Sequence, residues 1–269
     1  ARHRAAEHWS QERLRAHQSR ALHHLRSFAY SRSSFYQKFH AGKFDSPLNQ
    51  LPILTKHTLM DHFDELVTDP QVRLRDVRAF IANQNGQTKY LDRYWVCATS
   101  GSTGAPGIFL FDRQEWVNVM ATFARSHEWA GGLINLQHRM KMASVASTTP
   151  WHMSSQVGIT LNSTWMPALR LAASDPLLSI VERLNAFLPD MLVTYASMSR
   201  ILADEQIAGR LRIKPHLIFT SSEVLTDESR RRAKVAWGRE PFSQYAATET
   251  GGLAAERKSH DGMYIFEDN

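Results

Sequence analysis

The chain has 269 residues, 43% hydrophobic and 22% charged, which supplies a sizeable core and excludes both disorder and a fibrous repeat. Thirty-two Lys and Arg against 26 Asp and Glu give a net charge of +6; the first 40 residues, eight basic side chains against Glu7 and Glu12, account for all of it. A single cysteine, Cys97, rules out a disulfide scaffold, and no apolar run reaches the roughly 18–20 residues of a membrane span. The Arg- and His-rich start lacks the apolar stretch of a signal peptide, so a soluble, cytoplasmic protein is expected.

In chain order, the first forty residues read as helix, with Leu14, Leu22, Leu25 and Phe28 at helical spacings and Arg and His on the other faces. A basic amphipathic helix serves membranes or nucleic acids in some proteins. Here the charge run reads as the solvated face of a helix packed on the body. Residues 1–90 form a helical part and 91–269 an α/β part. Tyr94–Ala98 and Ile108–Phe111 are strand candidates on either side of a Gly/Ser/Thr loop. Asp112 is a helix N-cap with Glu115 as its capping-box partner, and that helix stops at Gly131-Gly132. Met140–Ser147 is the next strand. Asp175-Pro176 opens a helix as N-cap and first residue. Met191–Tyr195 and Leu217–Thr220 are further strands, and Thr226 caps a last helix ending at Trp237-Gly238. Strands alternating with helices predict an α/β fold with a largely parallel sheet, in one large domain of two lobes.

Three segments carry chemistry. Thr99-Ser100-Gly101-Ser102-Thr103-Gly104-Ala105-Pro106-Gly107 follows a strand directly. Its backbone N–H groups and hydroxyls suit phosphate oxygens, and they suit a plain polar loop as well. The Lys of a Walker loop is absent. Phe219 to Leu225 is a strand followed by a polar turn, in the position where open parallel sheets bind ligands. Tyr245-Ala246-Ala247-Thr248-Glu249 offers a ring that can stack on a purine and, if buried, a carboxylate that can hold magnesium; the alternative is an ordinary acidic loop. Cys97 is expected to be buried and inert, and Trp165 and Met166 to belong to the core.

Together these segments resemble the adenylate-forming, acyl-CoA synthetase-like superfamily, and within it the phenylacetate–CoA ligase-like branch. Thr99 to Pro106 resembles its phosphate loop, Ser221 to Leu225 its adenine-side turn, and Tyr245 to Glu249 its Tyr-Gly-x-Thr-Glu motif with Ala246 in place of glycine. Ser34-Phe35-Tyr36, Leu51 to Lys56 and Gly262 to Asp268 resemble flanking family text in the same order.

The resemblance implies the large N-terminal domain of an adenylate-forming enzyme, with mixed and parallel sheets flanked by helices and the small C-terminal domain absent, as in a fragment of a longer ligase. It implies ATP-dependent activation of a carboxylic acid, aryl or arylacetyl in this branch, followed by transfer to coenzyme A or another thiol. The alternatives are an AMP ligase that makes no thioester and a non-catalytic nucleotide- or acyl-binding relic. No nucleic-acid or membrane partner is expected.

Carried over by residue, Thr99, Ser100, Gly101, Ser102, Thr103 and Gly104 would cradle pyrophosphate. Ser222 and Glu223 would border the adenine and Tyr245 would stack on it. Thr248 would reach the α-phosphate and Glu249 would hold Mg2+. Trp151, His152 and Ala246 would line the acid pocket. Where some relatives place a Glu-Cys pair, this chain has Glu256-Arg257, so no zinc is expected.

Overall fold

In a computed structural model, which describes residues 2–101, 106–132 and 139–268, the chain divides into two units. The first holds residues 1–84, 88–110 and 267–269, the second 85–87 and 111–266.

The helices of the first unit are α1 (Arg2–Ala6), α2 (Gln11–Arg32), α3 (Ser34–Phe39), α4 (Lys56–Asp61), α5 (Phe63–Leu66) and α6 (Leu74–Asn83). Helix α2 starts where the Ser10 hydroxyl accepts from the Arg13 N–H. It ends at extended Ser33, whose hydroxyl accepts from the Tyr36 N–H and so begins α3. No residue of α2 is buried, and Leu25 and Phe28 are exposed. The apolar centre of this unit lies instead in Phe35, Met60, Phe63, Val72 and Val77. Strands β1 (Trp95–Ala98) and β2 (Ile108–Phe111) make a two-stranded sheet around the Gly/Ser/Thr loop, with Cys97 fully buried in β1.

The second unit is built on a seven-stranded sheet. Strands β3 (Met142–Ala146), β4 (Ala168–Ala172), β5 (Met191–Tyr195), β6 (Leu217–Ser221) and β7 (Phe242–Ala247) lie parallel in the order β4-β3-β5-β6-β7. Strands β8 (Gly251–Glu256) and β9 (Met263–Ile265) continue it antiparallel. The helices are α7 (Arg113–Trp129), α8 (Met153–Leu161), α9 (Leu177–Phe187), α10 (Ala196–Ile207) and α11 (Asp227–Trp237).

Alternation along the strands sorts the sheet into two faces. Ala143, Val145, Leu171, Leu192 and Ile218 point to one side and bury Ile180, Val181 and Leu184 of α9 and Leu202 of α10. Each such aliphatic side chain contributes about 1.5–3 kcal/mol by leaving water. Met142, Met191, Phe219 and Phe242 point to the other, where Ala130 ends α7 and Leu161 ends α8.

The Asp112–Glu115 capping box is present in full, and α11 runs from the Thr226 cap to Gly238 at φ +68°. The start of α9 lies one residue later than expected. Pro176 is the N-cap, and the Asp175 carboxylate accepts from the Ala172 N–H, closing the turn out of β4 instead of capping the helix. Trp165 is more than half exposed, outside the core, because it sits in the loop before β4. Among the described residues no helix is long and apolar enough to cross a membrane.

Candidate functional site

Strand β3 comes first in the parallel sheet but lies inside it, so the chain leaves it toward β4 on one side and returns to β5 on the other. Connections that diverge in this way open a crevice at the carboxyl ends of the strands, where α/β sheets bind ligands. The segments leaving those ends are Ser147 to His152 after β3, Ser222 to Leu225 after β6, and Thr248 to Thr250 after β7. Trp151, His152, Ser222, Glu223, Tyr245, Ala246, Thr248 and Glu249 therefore all lie at one end of one sheet.

The crevice opens on the face of α7 and α8. On that face Ser144, Val193, Tyr195, Ser221 and Gln244 are partly exposed, although β3, β5, β6 and β7 are interior strands. Their neighbours on the opposite face, Val145, Thr194, Thr220 and Ser243, are buried. The floor is thus polar and reachable on one side and sealed on the other.

Its walls are held by hydrogen bonds across long stretches of sequence. The Ser147 N–H donates to the Tyr195 hydroxyl at 2.9 Å, fixing the loop after β3 to the end of β5. Gln156 Nε2 donates to the Pro150 carbonyl at 2.7 Å. Between these anchors His152 is half-buried, and burial lowers its pKa, so its imidazole is held in the neutral form. Ser222 sits at φ +69°, a left-handed conformation that non-glycine residues adopt at a cost. That bend sends the Glu223 carboxylate to the N–H of Ser197 in the first turn of α10, at 2.8 Å. Glu223 thus braces the turn, and Val224 and Tyr245 stand out as exposed apolar surfaces, 85% and 59% accessible.

Tyr245 to Glu249 is the end of β7 and the tip of its hairpin with β8, where the sequence reads as a loop. Glu249 is exposed at that tip, not buried, and makes no hydrogen bond or ion pair among the described residues. An exposed carboxylate next in sequence to Thr248 fits a hard cation that draws its other ligands from phosphate and water. The hairpin is fastened to α7: the Gly252 N–H donates to the Thr122 hydroxyl at 2.9 Å, and that hydroxyl donates to the Val119 carbonyl at 2.6 Å. A β-carbon at Gly252 would stand 2.8 Å from Thr122 Oγ1.

Glu256, by contrast, is buried and committed. It accepts from both terminal nitrogens of Arg230 and, at 2.9 Å, from the Ser243 N–H. Among the described residues no three His, Cys, Asp or Glu side chains are grouped to hold a metal.

In the first unit the Gly/Ser/Thr loop is closed at its base. Thr99 and Gly107 pair through the Thr99 N–H to the Gly107 carbonyl at 3.0 Å, and the Gly107 N–H donates to the Thr99 hydroxyl at 2.9 Å. The hydroxyl accepts in that bond and keeps its own proton to donate. Gly101 takes φ +72° beside Ser100; Ser102, Thr103 and Gly104 lie outside the described residues. Cys97, one residue before Ala98 at the loop's root, has its thiol pKa pushed up to about 12 by burial.

Sequence reasoning missed Tyr195, Thr122 and Arg170. Each is a common residue type inside an ordinary helix or strand, and its partners lie far away in the chain.

No protein-family model and no curated protein matches the sequence. Among solved structures the chain is similar to 2-hydroxyisobutyryl-CoA ligase. In its complex with 2-HIB-AMP and CoA in the thioesterification state, the TM-score is 0.71 at 18% identity, over 97% of this chain and 55% of that one. The open conformation with the same ligands gives 0.69 at 18% identity, over 95% and 55%. The postadenylation state with 2-HIB-AMP gives 0.68 at 18%, over 96% and 54%. The fold is therefore the expected one, a mixed α/β sheet flanked by helices, shared with these ligase structures. The chain spans a little over half the length of these structures.

Proposed function

We propose that residues 1–269 form the adenylation domain of an ATP-dependent acid–thiol ligase, which activates a carboxylic acid as its acyl-adenylate and passes the acyl group to coenzyme A. The observation that carries this reading is the one-sided polar crevice at the carboxyl ends of β3, β5, β6 and β7. Its rim collects an exposed ring and a free carboxylate from the Tyr245–Glu249 segment and a neutral histidine from the loop after β3. The Thr99–Pro106, Ser221–Leu225 and Tyr245–Glu249 segments support the phenylacetate–CoA ligase-like branch for it.

In this reading Tyr245 and Val224 flank the adenine. Ser222 borders it, and Glu223 keeps the turn in place through Ser197. Thr99, Ser100, Ser102 and Thr103, with the backbone at Gly101 and Gly104, donate to the β- and γ-phosphates. The acid lies beside Trp151, His152 and Ala246, and its carboxylate oxygen attacks the α-phosphorus as pyrophosphate leaves. Thr248 donates to an α-phosphate oxygen. Neutral His152 leaves the attacking carboxylate nucleophilic, since an imidazolium there would hold it in an ion pair. Glu249, with the Thr248 hydroxyl, would hold Mg2+, which when bound supplies charge neutralisation to the phosphates. The chain's own contribution is alignment and preset donors.

Titration of the protein with AMP and with MgATP, by calorimetry and thermal shift, tests the reading. Binding with a measurable rise in melting temperature is expected. Absence of heat and of any shift at millimolar nucleotide would refute it.

A further inference from the structure

Arg170 lies on β4, the edge strand of the parallel sheet, and pairs in register with Ser144 of β3. Leu171, the next residue, packs into the α9/α10 core, so Arg170 points to the opposite, crevice face. There the guanidinium is half-buried against α8, where a β-carbon on Gly158 would stand 3.5 Å from its Cδ. Nη2 donates to the Ser155 hydroxyl and, at 3.5 Å, to the Thr148 carbonyl, the two ends of the loop that carries Trp151 and His152.

Among the described residues Arg170 has no carboxylate partner, and the three N–H donors on its Nε and Nη1 are unused. Burial without a counter-charge draws its pKa down from the usual guanidinium range, a cost that an anionic ligand would relieve. Elsewhere in this unit the partly buried Arg230 is paired with Glu256. Ser144, beside Arg170 on the crevice floor, is partly exposed and adds a hydroxyl.

We infer that Arg170, with Ser144, binds a second carboxylate on the acid substrate, so that the ligase takes a short-chain dicarboxylic acid. This inference rests on the ligase reading given above. Arg170 bonds both ends of the loop whose Trp151 and His152 line the acid pocket in that reading, and Val193, its register neighbour two strands away on the crevice floor, lies about 10 Å off by strand spacing. A free carboxylate a few carbons from the reacting one would therefore meet a guanidinium fork of matching shape. A neutral acyl chain in the same place would leave the cation unpaired.

The test uses the full chain and two non-hydrolysable acyl-sulfamoyl adenosines of equal length, succinyl and its terminal carboxamide, with AMP as the reference ligand. Calorimetry should show the succinyl compound binding about tenfold to a hundredfold tighter than the carboxamide, as charge-assisted hydrogen bonds to a desolvated arginine predict. Arg170→Met should abolish that preference with AMP affinity unchanged, and Arg170→Lys should keep part of it. Equal binding of the two tails by the native protein would overturn the inference and leave the ligase reading standing. So would an Arg170→Met variant that weakens both tails alike and keeps the preference, because Arg170 would then only support the loop. Failure of AMP to bind the native protein would overturn both.

Discussion

Thr122→Val tests whether α7 holds the hairpin that carries Tyr245 and Glu249. The substitution conserves shape and removes one oxygen from a side chain that is 2% exposed. That oxygen receives the Gly252 N–H at 2.9 Å in a buried position, beside Gly251 at φ +81°, where a β-carbon would stand only 3.0 Å from Val119. Leaving one buried N–H without an acceptor costs about 1–3 kcal/mol, or roughly a 5- to 150-fold rise in the opening equilibrium of the hairpin. Amide exchange of Gly252, followed by NMR, should accelerate by that factor. Exchange in the α9/α10 core at Leu184 and Leu192 should change far less. Thr122→Ser, which keeps the hydroxyl, should behave as the native protein. AMP affinity should fall in the valine variant and survive in the serine variant, since Tyr245 stands on the loosened strand. Equal exchange at Gly252 in the valine and serine variants would refute the tether.

Glu249→Gln should weaken nucleotide binding in magnesium and leave magnesium-free binding unchanged, because the native carboxylate has no partner to lose among the described residues; equal losses in both conditions would reduce Glu249 to a structural residue. His127 is buried with both ring nitrogens unpartnered among the described residues, and burial lowers its pKa although the Glu128 charge opposes the shift. A depressed histidine favours folding above its unfolded value of 6.5, and that contribution is lost as pH falls through the folded value. Denaturant titrations from pH 7.5 to 5 should therefore show stability declining in acid, with a shallower slope in His127→Leu; identical slopes would assign the acid sensitivity elsewhere. Cys97, fully buried with its thiol pushed up to about 12, should resist iodoacetamide in native protein at pH 8 and react fully in denaturant; native labelling at the denatured rate would contradict its burial.

The features legible in the sequence are those whose partners lie within a few residues. Asp112 and Glu115 satisfy each other across one helical turn, Thr226 meets the N–H of Ser229, and Gly238 supplies the left-handed end that α11 needs. Met191–Tyr195 reads as a strand because its run of apolar, β-branched and aromatic side chains suits an interior strand of a parallel sheet. The motif segments also stand out as text, since glycines, hydroxyls and an acid in a fixed order are a local property.

Strand β4 was not legible: Ala168–Ala172 carries Arg170, and its strand character comes from pairing with β3 in register Ser144↔Arg170. Asp175 loses its expected capping role because the carboxylate finds the Ala172 N–H first, a choice set by where β4 ends. Whether a carboxylate is spent or free was likewise decided by the folded chain. Glu256 is consumed by Arg230 and Ser243, Glu223 by Ser197, and Glu249 by nothing among the described residues. Tyr195 meets Ser147 across 48 residues, and Gly252 meets Thr122 across 130. Composition and spacing cannot specify such contacts, because their geometry exists only once the β4-β3-β5-β6-β7 order has brought the carboxyl ends of the strands together.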